Sequence, residues 1–125
     1  MSILTEPARD LSVVSKYDLI VVGGGIAGVS AALAAARGGA KVCLIEKACG
    51  LGGLATLGNV IVYLPICDGE GHQVIGGIGE EMLQLSAKCN GEVPEVWRTP
   101  HSPKVRSGTR FEVRFSAPDY MLALE

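Results

Sequence analysis

Three glycines and one glutamate have the residue types and the spacing that nucleotide binding requires. Gly23, Gly25 and Gly28 form a G-x-G-x-x-G pattern, and Glu46 follows at the end of the next apolar run. In such a pattern Gly23 permits a tight turn, Gly25 lets a pyrophosphate approach the backbone, and Gly28 lets a helix pack closely on a strand. A glutamate in the position of Glu46 can accept hydrogen bonds from two ribose hydroxyls. The pattern therefore predicts a dinucleotide site.

This chemistry requires a strand before the glycines and a helix after them. Residues 17–22 are aliphatic and β-branched, which predicts a strand buried on both faces. Residues 26–37 are rich in alanine and leucine at helical spacing and precede two glycines, which predicts a helix that ends there. Residues 41–46 predict a second buried strand. The N–H groups of Ile26 and Ala27 would then face the phosphates at the positive end of the helix dipole.

The same stretch has two other interpretations, a membrane span and a signal peptide. Residues 19–36 carry no charge, which is long enough for a spanning helix. Three consecutive glycines would however expose backbone inside the membrane. The residues ahead of the stretch mix acids and bases, whereas a signal peptide begins with a basic region. We therefore favour the nucleotide-binding interpretation and expect no membrane span.

The segment DLIVVGGGIAGVSAALAAARGGAKVCLIEK is followed by GLGGLAT. Together they resemble the amino-terminal segment of FAD-dependent oxidoreductases of the glutathione-reductase-like superfamily. The resemblance is specific over residues 17–58, because these flavoproteins carry a second Gly-Gly turn after the acidic strand end, here Gly52 and Gly53. It implies an α/β fold, namely the incomplete amino-terminal part of a Rossmann-type FAD/NAD(P)-binding domain with a parallel sheet. It also implies FAD as cofactor and a small-molecule redox substrate.

The resemblance assigns individual residues to the cofactor. Glu46 would bind the adenosine ribose, and Lys47 would lie near the adenine. The second glycine turn would run along the pyrophosphate and the flavin, and its residues are Gly53, Leu54, Ala55 and Thr56. Further along, Gly76 and Gly77 precede a helix with Glu80 or Glu81, as in the family. The catalytic residues are not identified by this part of the chain.

The domain boundaries follow from the patterning of the chain. Residues 1–15 are polar and aperiodic and predict a flexible arm, and residues 16–125 form the truncated Rossmann domain. Ile78, Met82 and Leu85 share one face of a predicted helix. Residues 92–107 predict an excursion between elements, and residues 109–116 predict a half-exposed strand. A last helix from near Pro118 has three apolar residues at its predicted buried positions, Met121, Leu122 and Leu124.

Charge and reactive side chains add few constraints. Eleven basic and thirteen acidic residues give a net charge of -2, which argues against nucleic acid as a partner. The basic cluster is either a solvated stretch or an anion site, and comprises Arg98, His101, Lys104, Arg106, Arg110 and Arg114. The cysteines lack C-x-x-C spacing and predict reduced thiols in a cytoplasmic protein; they are Cys43, Cys49, Cys67 and Cys89. His72 and His101 are isolated, and no metal site is expected.

Two alternatives to the flavoprotein interpretation remain open. The first is a segment of an NAD-dependent dehydrogenase, which shares the G-x-G-x-x-G turn. The second is a truncated, non-catalytic module that binds a nucleotide or a partner. The chain is 48% hydrophobic and ends at Glu125 within a predicted helix. We therefore expect an amino-terminal fragment that needs the remainder of a parent chain for activity, and a homo-oligomer stays open.

Overall fold

The computed structural model describes residues 3–63, 66, 68, 73–89 and 113–125. The elements in chain order are β1 (Leu19–Val22), α1 (Ile26–Arg37), β2 (Val42–Ile45), a 3-10 turn (Gly53–Ala55), β3 (Val62–Tyr63), α2 (Ile78–Lys88), β4 (Val113–Arg114) and α3 (Ala117–Leu124). This mixture of helices with a parallel strand pair confirms the predicted α/β class.

The first three elements form a β-α-β unit. β1 and β2 are parallel, with Leu19 opposite Val42 and Val22 opposite Ile45. α1 lies between them in sequence and provides the crossover connection that parallel strands need. It has the predicted bounds, because Gly39 follows it with φ +90°, a conformation that side chains disfavour. The unit places the carboxyl ends of both strands beside the start of α1.

The prediction that both strands are buried on two faces is wrong. Ile20, Val22 and Ile45 are 55%, 81% and 48% exposed and share one face of the sheet. The opposite face meets α1, where Val21 lies 3.6 Å from the Cβ position of Gly28. The sequence pattern of a doubly buried strand is therefore present, but among the described residues only α1 covers the sheet.

A second small sheet and the later helices form the core. β3 and β4 are antiparallel, and Ile66, Leu83 and Ala87 pack together with Tyr63 at the edge of the cluster. Residues 109–112 of the predicted strand 109–116 lie outside the described residues, and β4 covers Val113–Arg114 of the remainder. These contacts hold α2 beside β3, which contributes Tyr63 to the cluster.

Tyr120 decides which face of α3 is buried. Its ring meets that of Phe115 edge to face at 4.9 Å, and its hydroxyl donates to the carbonyl of Met82 over 3.3 Å. The prediction that Leu122 is buried is wrong, because the helix turns Tyr120 inward and leaves Leu122 68% exposed. Met121 and Leu124 are half-buried.

α2 is tied to α1 by an ion pair at the surface. The guanidinium of Arg37 donates to both carboxylate oxygens of Glu81, at 3.0 and 2.8 Å. This bond and the attraction between the charges lower the pKa of Glu81 and raise that of Arg37. Of the three residues predicted to share one face of α2, Met82 is buried and Ile78 and Leu85 are half-buried; Leu83 is buried beside them.

Several predicted features lie outside the described residues. They are Cys67, His72, His101, the excursion 92–107 and most of the basic cluster, of which Arg114 alone is described, as an exposed residue. Residues 3–15 are exposed and form no helix or strand. Cys43, Cys49 and Cys89 are free thiols. Within the described ranges, no helix has the length and apolarity of a membrane span, and no group of side chains has the composition of a metal site.

Candidate functional site

The first glycine turn joins β1 to α1 and uses two glycines for the fold itself. Gly23 has φ +103°, which lets the chain turn sharply as it leaves the strand. Gly28 lies in the first turn of α1, where an added Cβ would collide with the carbonyl oxygen of Gly23. Glycine at both positions is therefore required for the helix to start this close to the strand.

Gly25 differs from its neighbours because the chain does not require a glycine there. It is the N-cap of α1, with φ −65° and ψ 174°, which any residue can adopt. An added Cβ would meet no described atom within 4 Å. The space in front of Gly25 is thus open, and a glycine there leaves it free for a group that approaches the backbone.

The first N–H groups of α1 have no partner within the helix. The first hydrogen bond of the helix runs from the N–H of Val29 to the carbonyl of Gly25, at 2.9 Å. No side chain caps the helix, so the N–H groups of Ile26, Ala27 and Gly28 lack a partner within the helix. Together with the helix dipole they favour an anion at this position.

The second glycine turn packs directly against the first. Gly52 donates its N–H to the carbonyl of Gly24 over 2.8 Å and forms a parallel bridge with Gly25. A Cβ on Gly53 would lie 3.1 Å from the Cα of Gly25. Both Gly52 and Gly53 have positive φ, at +100° and +55°. The two predicted cofactor segments are therefore adjacent at the start of α1.

The carboxylate of Glu46 accepts hydrogen bonds from two backbone segments, the first glycine turn and the loop after β2. One carboxylate oxygen accepts the N–H of Gly24 at 2.6 Å, and the other accepts the N–H of Ala48 at 2.8 Å. The bond to Ala48 and then the bond to Gly24 lower the pKa of Glu46, so its carboxylate is charged at neutral pH. The neighbouring Lys47 is exposed.

Gly24 is the residue of the site that the sequence pattern did not single out. It is buried, and an added Cβ would lie 2.5 Å from the Cδ2 of Leu51 and 3.0 Å from the Cβ of Glu46. The G-x-G-x-x-G spacing leaves this position unassigned. The sequence signal that could have identified Gly24 was the run of three glycines, because the pattern needs only the first and the third of them.

The other residues of the second turn have different surroundings. The buried hydroxyl of Thr56 donates to the carbonyl of Leu51 at 2.5 Å, which holds the turn closed. Leu54 is 75% exposed and Ala55 is half-buried. Thr56 thus fixes the turn from within, while Leu54 and Ala55 are accessible from outside.

An apolar cavity of about 320 Å³ adjoins the second turn. It is lined by Ile26, Leu54, Ala55, Val60, Val62, Tyr63, Ile66, Ile75 and Phe115. Tyr63 supplies the one hydroxyl of this lining, and partial burial raises its pKa. A larger cavity of about 680 Å³ lies between α1 and α2 and reaches Leu51, the residue before the second turn. The smaller cavity is lined by two residues of the second turn itself, Leu54 and Ala55.

Comparisons with known proteins show which proteins the chain is similar to. The family model described as FAD dependent oxidoreductase matches residues 18–117. A thioredoxin reductase of Ureaplasma parvum serovar 3 is 37% identical over 70 residues, which are 56% of this chain and 23% of that protein. The chain therefore spans less than a quarter of that relative's length in the match. No solved structure matches the chain significantly.

Proposed function

Because the chain belongs to the FAD dependent oxidoreductase family, we propose that its two glycine turns and Glu46 bind the ADP half of FAD in a flavin-dependent oxidoreductase. The observation that carries this proposal is Gly25. Neither its backbone conformation nor its packing requires a glycine, and the open space at its Cβ position supports a ligand that approaches the backbone there. A pyrophosphate has the charge and the small radius to do so.

Each part of the site has a separate role in this proposal. The pyrophosphate lies over Gly25 and accepts hydrogen bonds from the N–H groups of Ile26 and Ala27. The ribose lies at the end of β2, where Glu46 accepts hydrogen bonds from its hydroxyls. Lys47 lies beside the adenine. Gly28 contributes indirectly, by allowing α1 to begin next to β1.

The second turn extends the site from the pyrophosphate toward the flavin. Gly53 lies against Gly25, and Leu54 and Ala55 lead from there into the apolar cavity. The volume and apolar lining of that cavity suit a flat ring system with little polar surface. Bound flavin would supply the electron transfer, while these residues hold it and exclude water from one side of it. A small-molecule redox substrate fits this chemistry.

The second turn also favours FAD over NAD as the ligand. An NAD-dependent dehydrogenase requires the first turn and an acidic residue, and both are present here. The additional Gly52–Gly53 turn, packed on Gly25, has no part in that simpler site. We therefore favour FAD.

Competition between nucleotides tests the proposal. FAD is titrated against the purified chain by quenching of flavin fluorescence, and ADP and NAD are then added as competitors. We expect FAD to bind and ADP to displace it, since both share the pyrophosphate and the adenosine. NAD that binds more tightly than FAD would identify the dehydrogenase alternative, and failure of all three to bind would overturn the proposal.

A further inference from the structure

We infer that Glu46 is also a positioning residue, whose carboxylate sets the first glycine turn in its phosphate-binding conformation before any ligand is bound. This inference rests on the proposed function for the identity of the ligand. It differs from the ribose role because it concerns the pyrophosphate end of the site. It predicts that Glu46 matters even for a ligand that has no ribose.

The geometry of the two hydrogen bonds supports this role. The bond from Gly24 joins the turn that precedes α1 to a carboxylate 22 residues further along the chain, at 2.6 Å. The bond from Ala48 joins the same carboxylate to the loop that leads to the second turn, at 2.8 Å. A single ionised side chain therefore connects the backbones of both segments. Hydrogen bonds to a charged acceptor are stronger than those between neutral groups.

The positioning role and the ribose role are compatible. An ionised carboxylate has about four acceptor positions, and the two backbone N–H groups use two of them. The N–H of Lys47 also interacts with the carboxylate, and the acceptor capacity that remains is available to a ribose. Glu46 can therefore hold the turn and bind the sugar at the same time.

The absence of a side chain at Gly24 allows the carboxylate of Glu46 to approach the backbone of the first glycine turn. The Cβ of an alanine at this position would lie 3.0 Å from the Cβ of Glu46, which is closer than side chains normally approach. The same Cβ would lie 2.5 Å from the Cδ2 of Leu51, so two neighbours crowd this position. This explains why the middle position of the three glycines is also a glycine.

Asp18 provides a matched control at the opposite end of the same strand pair. Its carboxylate accepts the N–H of Lys41 at 2.8 Å, across the amino ends of β1 and β2. Asp18 and Glu46 therefore make the same type of bond in the same sheet. Only Glu46 makes this bond next to the glycine turns. An effect seen in a Glu46 variant but not in an Asp18 variant is therefore an effect on the turns and not on strand pairing in general.

The first measurement is amide hydrogen exchange of the ligand-free protein. Glu46→Ala should accelerate exchange at Gly24 by about tenfold or more, because the amide loses its acceptor. Asp18→Ala should leave the amide of Gly24 unchanged. Equal exchange at Gly24 in the wild type and Glu46→Ala would overturn the inference, whether or not a nucleotide binds.

The second measurement compares inorganic pyrophosphate with ADP by calorimetric titration. Glu46→Ala should weaken the binding of pyrophosphate by about tenfold and that of ADP by more, because ADP also loses the hydrogen bonds to its ribose, whereas Asp18→Ala should change neither. Glu46→Gln, which keeps one acceptor oxygen, should recover part of the pyrophosphate affinity. Unchanged or tighter pyrophosphate binding by Glu46→Ala would restrict Glu46 to the ribose and overturn the inference. If the wild type binds neither ligand, the proposed function fails, and the exchange at Gly24 decides the inference alone.

Discussion

Gly53 lies against Gly25, so that a Cβ on Gly53 would come within 3.1 Å of the Cα of Gly25. The reverse does not hold, because a Cβ on Gly25 would point into open space. The two glycines are therefore required for different reasons. Gly53 allows the second turn to pack on the first, whereas Gly25 leaves room for a ligand.

Gly25→Val should abolish FAD binding and leave the fold intact. The valine adopts the backbone conformation of Gly25 without strain, since φ is −65°. Its methyl groups would occupy the space proposed for the pyrophosphate. The thermal unfolding curve, followed by circular dichroism, should match that of the wild type, while flavin fluorescence should show no quenching. Normal FAD binding by this variant would disprove the phosphate assignment.

Gly28→Val is the contrasting control for that variant. Here the added Cβ would collide with the carbonyl oxygen of Gly23, so the fold itself should be damaged. We expect a lower midpoint of thermal unfolding as well as loss of binding. If both variants unfolded at the wild-type temperature, α1 would not pack on β1 as closely as the structure shows.

The stability of the protein should depend on the ionisation of Glu46. Its pKa is lowered in the folded state by the bonds from Ala48 and Gly24, so the unfolded chain takes up a proton first as the pH falls. The stabilising effect is complete above the unfolded pKa of about 4.3 and is lost as the pH drops through the lower folded pKa. Urea unfolding at successive pH values should therefore show a loss of stability in acid that is smaller in Glu46→Gln.

Glu81 must be included in that measurement because its pKa is lowered too, by the bond from Arg37. Glu81→Gln should remove a separate part of the acid dependence, and the variant with both substitutions should be the least dependent on pH. An acid dependence that Glu46→Gln leaves unaltered would show that its two backbone bonds do not form in solution.

Local signals in the sequence predicted the β-α-β unit well. The bounds of α1 follow from alanine-rich periodicity and from the glycines after it, both of which act within a few residues. Burial was predicted less well, because exposure of Ile20 and Val22 depends on what covers the sheet rather than on the strand itself. The role of Gly24 was also missed, since its partner Glu46 is a tertiary neighbour that spacing does not reveal.

Leu83→Ala should destabilise the core that holds α2 in place. Leu83 is fully buried and contacts Ile66 and Ala87, so its truncation should cost about 2 to 4 kcal/mol. Leu122→Ala removes the same atoms from an exposed position of α3 and should change the stability by less than about 0.5 kcal/mol. Urea unfolding of the two variants measures the difference. Equal effects would mean that the core is packed differently.

The face of the sheet that no described element covers should make the protein self-associate. Ile20, Val22 and Ile45 form an exposed apolar surface on two adjacent strands, and contiguous surfaces of this kind favour association. Replacing Ile20 and Val22 by threonine keeps β-branching but reduces the apolar area. Sedimentation velocity over a range of concentrations should show a rise in average mass for the wild type and a smaller rise for this variant. Leu4→Thr alters an apolar residue of the exposed arm and should behave like the wild type. If the two variants reduced the association equally, the cause would be general hydrophobicity and not this face of the sheet.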